Sequence, residues 1–283
     1  MNLIALLHGP DKPGIVSAVS TWIFSNGGSI IHADQHRDSE LGIFFQRVEW
    51  SQEKLEEAAL REQASAFREF ARTQGMEAGA WLASDRPRVA LFVSKQGHAF
   101  HDLMLRWQSK DLPCEIVAVI GNHDLWEETC DHYGVPFHHV AVTADTKPEA
   151  EAQQQEILSQ AQVDFAVLAR YMQVLSGDFL EKFQKPVINI HHSFLPAFAG
   201  ARPYHQAHTR GVKLIGATAH YVTEVLDDGP IIHQAVERIS HRHTVSDLVR
   251  KGQDLEKLAL SQAVRWQVER RILSYANKTV VFD

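Results

Sequence analysis

Residues 187–193 read Val187-Ile188-Asn189-Ile190-His191-His192-Ser193, an apolar run that ends in polar side chains. Apolar runs of this kind recur through the later part of the chain and alternate with segments of helical periodicity. Strands that are apolar on both faces and separated by helices are typical of a parallel sheet covered on both sides. The sequence therefore predicts a doubly wound α/β domain with a mostly parallel sheet.

The elements of this domain follow from the same alternation. Strands are predicted at residues 88–94, 115–121, 137–142, 164–170, 187–191, 214–222 and 230–239. Helices are predicted at residues 98–109, 124–133, 147–160 and 178–183, with a long closing helix at 245–275.

The residues before position 85 follow a different plan. Strands at residues 3–7, 29–32, 43–50 and 76–82 and helices after Asp11-Lys12-Pro13-Gly14 and at 53–73 give the order βαββαβ, which is ferredoxin-like. The polar stretch Ser84-Asp85-Arg86-Pro87 predicts a domain boundary. We therefore expect domains at residues 1–84 and 85–283.

Composition narrows the class of protein. The 283 residues are 45% hydrophobic and 22% charged, the balance of a globular chain, and the net charge of −7 argues against a nucleic-acid partner. No signal peptide is expected, since the apolar N-terminal run breaks at His8-Gly9-Pro10. No membrane span is expected either, because no later apolar run approaches the length needed to cross a bilayer. Cys114 and Cys130 are the only cysteines. So few cysteines in a chain of this length indicate unreactive thiols in a reducing cytoplasm.

Two polar side chains near the end of the 187–193 run are candidates for a site, because ligands of such sheets bind beyond the carboxyl ends of the strands. Side chains alternate along a strand, so Asn189 and His191 share one face, about 7 Å apart. An amide beside an imidazole can hold a carbonyl oxygen and move a proton. Two polar residues satisfied by the backbone are an equal alternative.

Asp227 is the third candidate, in the acidic stretch Thr223-Glu224-Val225-Leu226-Asp227-Asp228-Gly229-Pro230. Taken alone, this stretch is better explained as a tight turn between strands. Combined with Asn189 and His191, it supplies the set needed to attack a carbonyl with water or an amine.

The sequence lacks the motifs of metal sites, serine hydrolases and dinucleotide-binding proteins. The His191-His192 and His138-His139 pairs have no third ligand at a metal-binding spacing, so no metal is expected. The nucleophile elbow of serine hydrolases and the glycine-rich dinucleotide fingerprint are both missing from the sequence.

Three stretches together resemble the folate-dependent formyltransferase fold. They are Asn189-Ile190-His191-His192-Ser193 with Leu195-Pro196, Gly216-Ala217-Thr218-Ala219-His220-Tyr221-Val222, and Leu226-Asp227 with Gly229-Pro230-Ile231-Ile232. Residues 169–176 and 191–198 narrow the resemblance to formyltetrahydrofolate deformylases, since related transferases usually have proline in place of His192. The N-terminal stretches Asp11-Lys12-Pro13-Gly14-Ile15-Val16 and Ala33-Asp34-Gln35-His36 resemble an ACT domain fused to such an enzyme.

The resemblance implies a mechanism and a biological role. Asn189, His191 and Asp227 match the family's catalytic set, and the implied reaction is hydrolysis of 10-formyltetrahydrofolate to formate and tetrahydrofolate. Asn189 and protonated His191 would stabilise the oxyanion, while Asp227 would orient His191 and help to deprotonate water. The formate would supply purine biosynthesis and the reaction would balance one-carbon folate pools. No separate cofactor is expected, because folate is the substrate.

The resemblance also implies an apolar slot for the pterin, which backbone groups of two segments would hold in place. These are Met172, Gln173, Val174 and Leu175 in the first, and Val225 and Asp228 in the second.

The turn after the first strand of the second domain departs from the related glycinamide ribonucleotide transformylases. They cradle the substrate phosphate on a glycine-rich turn, whereas residues 94–98 here read Ser94-Lys95-Gln96-Gly97-His98. We therefore expect water as the acceptor. A folate-dependent formyltransferase acting on an amine is the alternative, and a catalytically idle folate-binding sensor is disfavoured because all three catalytic residue types are present.

The ACT-like domain leaves two roles open. An amino-acid effector could bind at Asp11 and Gly14, where a helix begins, or the domain could serve only to pair subunits through its sheet edges. In either case the resemblance implies a homo-oligomer, a tetramer or higher.

Overall fold

The computed structural model of the chain describes residues 1–53, 55–196 and 203–283. These residues divide into two compact units, one of Met1–Asp85 with Glu269–Asp283 and the other of Arg86–Val268. Ala197 and Phe198, which belong to a stretch used for the resemblance, lie outside the described residues.

The first unit opens with the predicted order βαββαβ. Its elements are β1 (Asn2–Pro10), α1 (Ile15–Ser25), β2 (Ser29–Asp38), β3 (Ile43–Ser51), α2 (Glu57–Thr73) and β4 (Glu77–Leu82). The strands form an antiparallel sheet in the order β2-β3-β1-β4. Helix α2 buries Leu60, Ala64, Phe67 and Ala71 on one face, since these positions recur every three to four residues.

The second unit alternates strands and helices as predicted. Its strands are β5 (Arg88–Val93), β6 (Glu115–Gly121), β7 (Phe137–His139), β8 (Phe165–Ala169), β9 (Val187–His191), β10 (Leu214–Tyr221) and β11 (Ile231–Arg238). Its helices are α3 (His98–Gln108), α4 (Glu127–Tyr133), α5 (Lys147–Gln160), α6 (Gly177–Phe183), α7 (Pro203–Arg210) and α8 (Val245–Val268). Helix α7 was not predicted from the sequence.

The sheet of the second unit has the order β11-β10-β9-β8-β5-β6-β7. The strand pairs between β9 and β7 in this order are parallel, whereas β10 pairs antiparallel with both β9 and β11. The prediction of a mostly parallel sheet is therefore confirmed. From β5 the chain moves to β6 on one side, and from β8 it moves to β9 on the other. The carboxyl ends of β5 and β8 are therefore the point where ligands bind in open α/β sheets.

The end of the chain differs from the predicted helix at residues 245–275. Helix α8 ends at Val268, Arg270 adopts a left-handed φ of 55°, and β12 (Ile272–Tyr275) pairs with β13 (Lys278–Val281). Ala276 and Asn277 have φ angles of 41° and 60°, as the tightest hairpin turns require. A hairpin thus replaces the last turns of the predicted helix.

This hairpin belongs to the first unit, although residues 269–283 were predicted to be part of the second domain. Tyr275 lies against Phe45 with ring centroids 4.5 Å apart, and its hydroxyl donates to Asp38 over 3.0 Å. Phe282 is buried with Leu6 and Phe45. Apolar contacts with a sequence-distant sheet decide this placement, and local sequence patterns do not register such contacts.

In the described part of the chain, every helix is too short or too polar to traverse a lipid bilayer.

Candidate active site

A cleft of about 720 Å³ opens in the second unit beside the carboxyl ends of β8 and β9. This volume is typical of small-molecule sites. Its walls include polar side chains from loops, strands and helices that are far apart in sequence. They are Gln96, Arg170, Gln173, Asn189, His191, His192, Tyr204, His205, His220, Thr223, Asp227, Gln253 and Glu256.

Strand β9 carries both residues predicted from the alternation of its side chains. Asn189 and His191 line the cleft together with the buried Ile190 between them, while Ile188 is fully buried and does not reach the cleft. The prediction that the two polar residues share a face of the strand is confirmed by this geometry.

The turn that follows β10 brings Asp227 to His191. Asp227 Oδ2 lies 3.2 Å from His191 Nδ1, and because a carboxylate only accepts, Nδ1 carries the proton. This contact is the main reason why the pKa of Asp227 lies below its ordinary value. The other ring nitrogen of His191, Nε2, is buried and has no hydrogen-bond partner among the described residues. A buried nitrogen in that condition is expected to meet a ligand or water.

His220, on β10, lies opposite Asn189 in the sheet register. Its Nδ1 is 2.9 Å from the carbonyl oxygen of Tyr221, so this nitrogen donates. Its Nε2 then accepts from Asn189 Nδ2 over 3.2 Å, which fixes the orientation of the amide. Burial lowers the pKa of His220, in keeping with this neutral form. No role for His220 was predicted from the sequence, although its place opposite Asn189 in an antiparallel pair indicates one.

The ring of His192 stacks on the ring of His191, with ring centroids 5.0 Å apart and an angle of 20° between the ring planes. Arg170 Nη1 lies 2.6 Å from His192 Nδ1, and because a guanidinium only donates, His192 accepts there and carries its proton on Nε2. Burial, with Arg170 adding to it, lowers the pKa of His192 to about 4. His192 is therefore a neutral imidazole with an N–H donor available on its Nε2.

A buried acid, Glu256 of α8, lies deeper in the same wall. Its Oε2 is 2.7 Å from His98 Nε2 and 3.5 Å from Arg170 Nε, and its Oε1 accepts from the Tyr204 hydroxyl over 3.0 Å. Burial works against its charge, but His98, Arg170 and Tyr204 outweigh that effect and hold the pKa of Glu256 below its ordinary value. Sequence reasoning missed these residues because they are remote in sequence and match no short motif.

The segments predicted to hold a pterin are only partly in the cleft. Met172, Gln173, Val174 and Leu175 line it, and Met172 has a left-handed φ of 62°. Val225 and Asp228 lie in the turn around Asp227 but outside the cleft walls, where Leu226 stands instead. The Asp228 N–H donates to the Val225 carbonyl, so this turn closes on itself and presents the residues between them.

Within residues 1–53, 55–196 and 203–283, His, Cys, Asp and Glu side chains form no group of three or more placed to bind a metal ion. Cys114 and Cys130 are buried free thiols, and burial raises the pKa of each to about 12. Neither thiol is suited to act as a nucleophile.

The predicted effector residues lie in the first unit, between β1 and α1. Gly14 precedes α1 with a left-handed φ of 90°, and a side chain built on it would meet nothing within 4 Å. Asp11 pairs with Arg37 over 2.7 Å. The turn is thus open at Gly14, while the Asp11 carboxylate already has a cationic partner.

Comparison with known proteins adds three findings. A family model described as formyl transferase matches residues 87–264. The formyltetrahydrofolate deformylase of Synechocystis sp. is 48% identical over 283 residues, covering 99% of this chain and 99% of that protein. A solved formyltetrahydrofolate deformylase from Pseudomonas syringae pv. tomato has a TM-score of 0.94 at 42% identity, covering 100% of this chain and 94% of that one.

A glycinamide ribonucleotide transformylase from Symbiobacterium toebii is a more distant match. Its TM-score is 0.65 at 30% identity, and the match covers 70% of this chain and 95% of that one.

Proposed function

The chain belongs to the formyltetrahydrofolate deformylase family, and from this membership we propose that it hydrolyses 10-formyltetrahydrofolate to formate and tetrahydrofolate. The observation that carries the proposal is the contact of Asp227 with His191 beside Asn189 in one cleft. These side chains supply the proton donors, the amide and the charge that amide hydrolysis needs.

In the proposed first step, water adds to the formyl carbon and the carbonyl oxygen becomes an oxyanion. Asn189 keeps one amide hydrogen free, since His220 takes the other, and this hydrogen can donate to the oxyanion. His191, protonated on Nε2, donates as well. Donors already fixed before the charge develops stabilise the transition state most.

The protons balance through the same groups. Asp227 accepts a proton from the attacking water, and its contact with Nδ1 keeps the His191 ring in position. As the C–N bond breaks, N10 of the folate takes the proton from His191 Nε2. The proton held by Asp227 then replaces the one that His191 gave up, so both groups return to their starting forms. The formic acid ionises to formate, and one proton is released overall. No separate cofactor takes part in this scheme, in which folate is the substrate.

The folate is proposed to lie along Met172, Gln173, Val174 and Leu175, which form an apolar and amide-bearing wall of the cleft. Leu226 faces the same space from the turn. Val225 and Asp228, which were predicted as further contacts, do not line the cleft, so Leu226 is the contact that we propose from this turn.

Water is proposed as the acceptor rather than an amine. Gln96 and His192 line the cleft, and the turn at residues 94–98 carries a single glycine, at Gly97. An amine-directed formyltransferase is the second candidate, supported by the similarity to glycinamide ribonucleotide transformylase.

Formate measurement separates these two functions. Purified protein is incubated with 10-formyltetrahydrofolate, with and without glycinamide ribonucleotide. We expect formate at the same rate in both samples and no formylated amine. Consumption of the folate only when the amine is present, with formylated amine as product, would replace hydrolysis by transfer.

The first unit is proposed to be an ACT-like regulatory or assembly domain. The βαββαβ order and the β2-β3-β1-β4 sheet support this proposal. The open turn at Gly14 and the nearby Asp11 are the proposed place for an amino-acid effector, and pairing of subunits through the sheet is the alternative role. We also propose a homo-oligomer, a tetramer or higher, that acts in the cytoplasm to supply formate for purine biosynthesis and to balance folate pools.

A further inference from the structure

Glu256 is held as a bound anion would be. Its side chain is 1% exposed, and each of its carboxylate oxygens lies within 3.0 Å of a nitrogen or hydroxyl of His98 or Tyr204. Arg170 approaches the same carboxylate to 3.5 Å. These groups, which we call the carboxylate cluster, are Glu256, His98, Tyr204 and Arg170. Arginine, histidine and tyrosine donors are the groups that proteins use to bind small oxyanions.

The carboxylate cluster occupies the place where the sheet favours a ligand. His98 begins α3 just after β5, and Arg170 directly follows β8, so the cluster lies at the carboxyl ends of the two strands from which the chain diverges. Three of its members, Arg170, Tyr204 and Glu256, also line the cleft that holds His191. A side chain of the protein thus stands where an external anion would be expected.

Two backbone features at the carboxylate cluster each cost conformational stability: a left-handed φ at Arg170 and a glycine inside α8. Arg170 has a left-handed φ of 62°, which a non-glycine residue rarely adopts. Gly252 lies one helical turn before Glu256, and a Cβ there would come within 2.0 Å of the Tyr204 hydroxyl. A glycine inside a helix is unfavourable, but here it leaves the space that lets Tyr204 reach Glu256.

We propose that Glu256 is a specificity-determining residue, an internal carboxylate that fills the anion site of the cleft and keeps out acceptors that carry an anionic group. A phosphorylated amine cannot then place its phosphate beside Arg170 and His98, and water reaches the formyl carbon instead. The inference rests on the proposed hydrolysis. Buried ion pairs seldom add net stability over apolar packing, so a role in selection explains this one better than a role in stability.

The test removes the carboxylate and asks whether an external anion takes its place. Glu256→Ala leaves a space lined by donors, while Glu256→Gln fills the space with an uncharged amide. We expect inorganic phosphate and acetate to raise the melting temperature of Glu256→Ala in a saturable manner. The wild type and Glu256→Gln should respond much less. Asp254→Ala, at an exposed position of the same helix, is the matched control and should behave as the wild type.

The double variant Glu256→Ala with Arg170→Gln identifies the site, since it should lose the response to phosphate. If Glu256→Ala does not fold in anion-free buffer, acetate or phosphate should restore its folding. A folded Glu256→Ala that binds phosphate no better than Asp254→Ala would overturn the proposal, as would an unfolded one that neither anion rescues.

A kinetic arm connects the site with acceptor choice. Glycinamide ribonucleotide should slow formate release by Glu256→Ala and leave the wild type unaffected. An equal effect on both proteins would contradict the inference. Anion binding is read from melting curves and needs no turnover, so failure of this proposal is distinguishable from failure of the hydrolase function, which the wild-type formate assay tests alone.

Discussion

At the scale of single residues, the site depends on where each imidazole carries its proton. Asp227 accepts a hydrogen bond from Nδ1 of His191, and the Tyr221 carbonyl accepts one from Nδ1 of His220. Arg170 donates to Nδ1 of His192. Each ring therefore presents one defined nitrogen to Asn189 or to the cleft. This arrangement places unlike histidines side by side without requiring all of them to be charged.

Asp227→Asn tests the contact with His191. The variant keeps the shape of the side chain but removes the carboxylate proposed to accept the proton of water beside His191, so we expect a loss of about 10²-fold or more in formate release. Its melting temperature should stay close to that of the wild type. Glu224→Gln, an exposed acid in the same turn and outside the cleft walls, is the control. Near wild-type activity of Asp227→Asn would remove Asp227 from the mechanism.

His192 gives a prediction for the pH dependence of stability. Its pKa is about 4 in the folded protein against an ordinary 6.5, so as the pH falls the unfolded chain takes up this proton first. The free energy of unfolding should be unaffected by this group above about pH 6.5 and should fall toward pH 4, by up to about 1.4 kcal/mol per pH unit.

Denaturant unfolding of the wild type and of His192→Gln between these pH values measures the contribution of this one residue, because other buried histidines are common to both proteins. His241→Gln, at an exposed position, serves as the control. Identical slopes for the wild type and His192→Gln would show that His192 is not held neutral.

At the scale of elements, the residues that the sequence could predict are those fixed by a local pattern. Alternation along β9 gives Asn189 and His191, and the acidic turn after β10 gives Asp227. Glu256 could not be found in this way, because an acid on a long amphipathic helix normally marks an exposed face. Its partner His98 is 158 residues away, and only the packing of α8 brings them together.

The C-terminal hairpin was missed for a related reason. Helical periodicity continues past Val268, but the contacts of Tyr275 and Phe282 with Phe45 favour strands, and tertiary packing overrides local propensity. Phe282→Ala should therefore lower the unfolding free energy of the first unit by about 3 kcal/mol, the usual cost of emptying a buried aromatic site.

Phe24→Ala is the matched control for Phe282→Ala, because Phe24 belongs to the same unit and is 80% exposed. Its effect should stay within about 0.5 kcal/mol. Equal effects of the two substitutions on denaturant midpoints would contradict the burial of Phe282.

At the scale of the whole molecule, the division into units determines which fragment should be independent. Residues 86–268 contain Asn189, His191, Asp227 and the whole carboxylate cluster. We expect this fragment to fold and to release formate. A fragment of residues 86–283 should be less soluble, since its hairpin has lost the sheet on which Tyr275 and Phe282 pack. Better behaviour of the longer fragment would contradict the assignment of residues 269–283 to the first unit.

The most direct measurement follows the oxygen atoms of the product. The wild-type protein is incubated with 10-formyltetrahydrofolate in ¹⁸O-labelled water, with no amine acceptor, and the formate is analysed by mass spectrometry. Hydrolysis at Asn189, His191 and Asp227 predicts that formate gains an oxygen atom from water and that Asp227→Asn forms little of it. Absence of labelled formate, with the folate consumed only after an amine is added, would contradict hydrolysis as the function of this cleft.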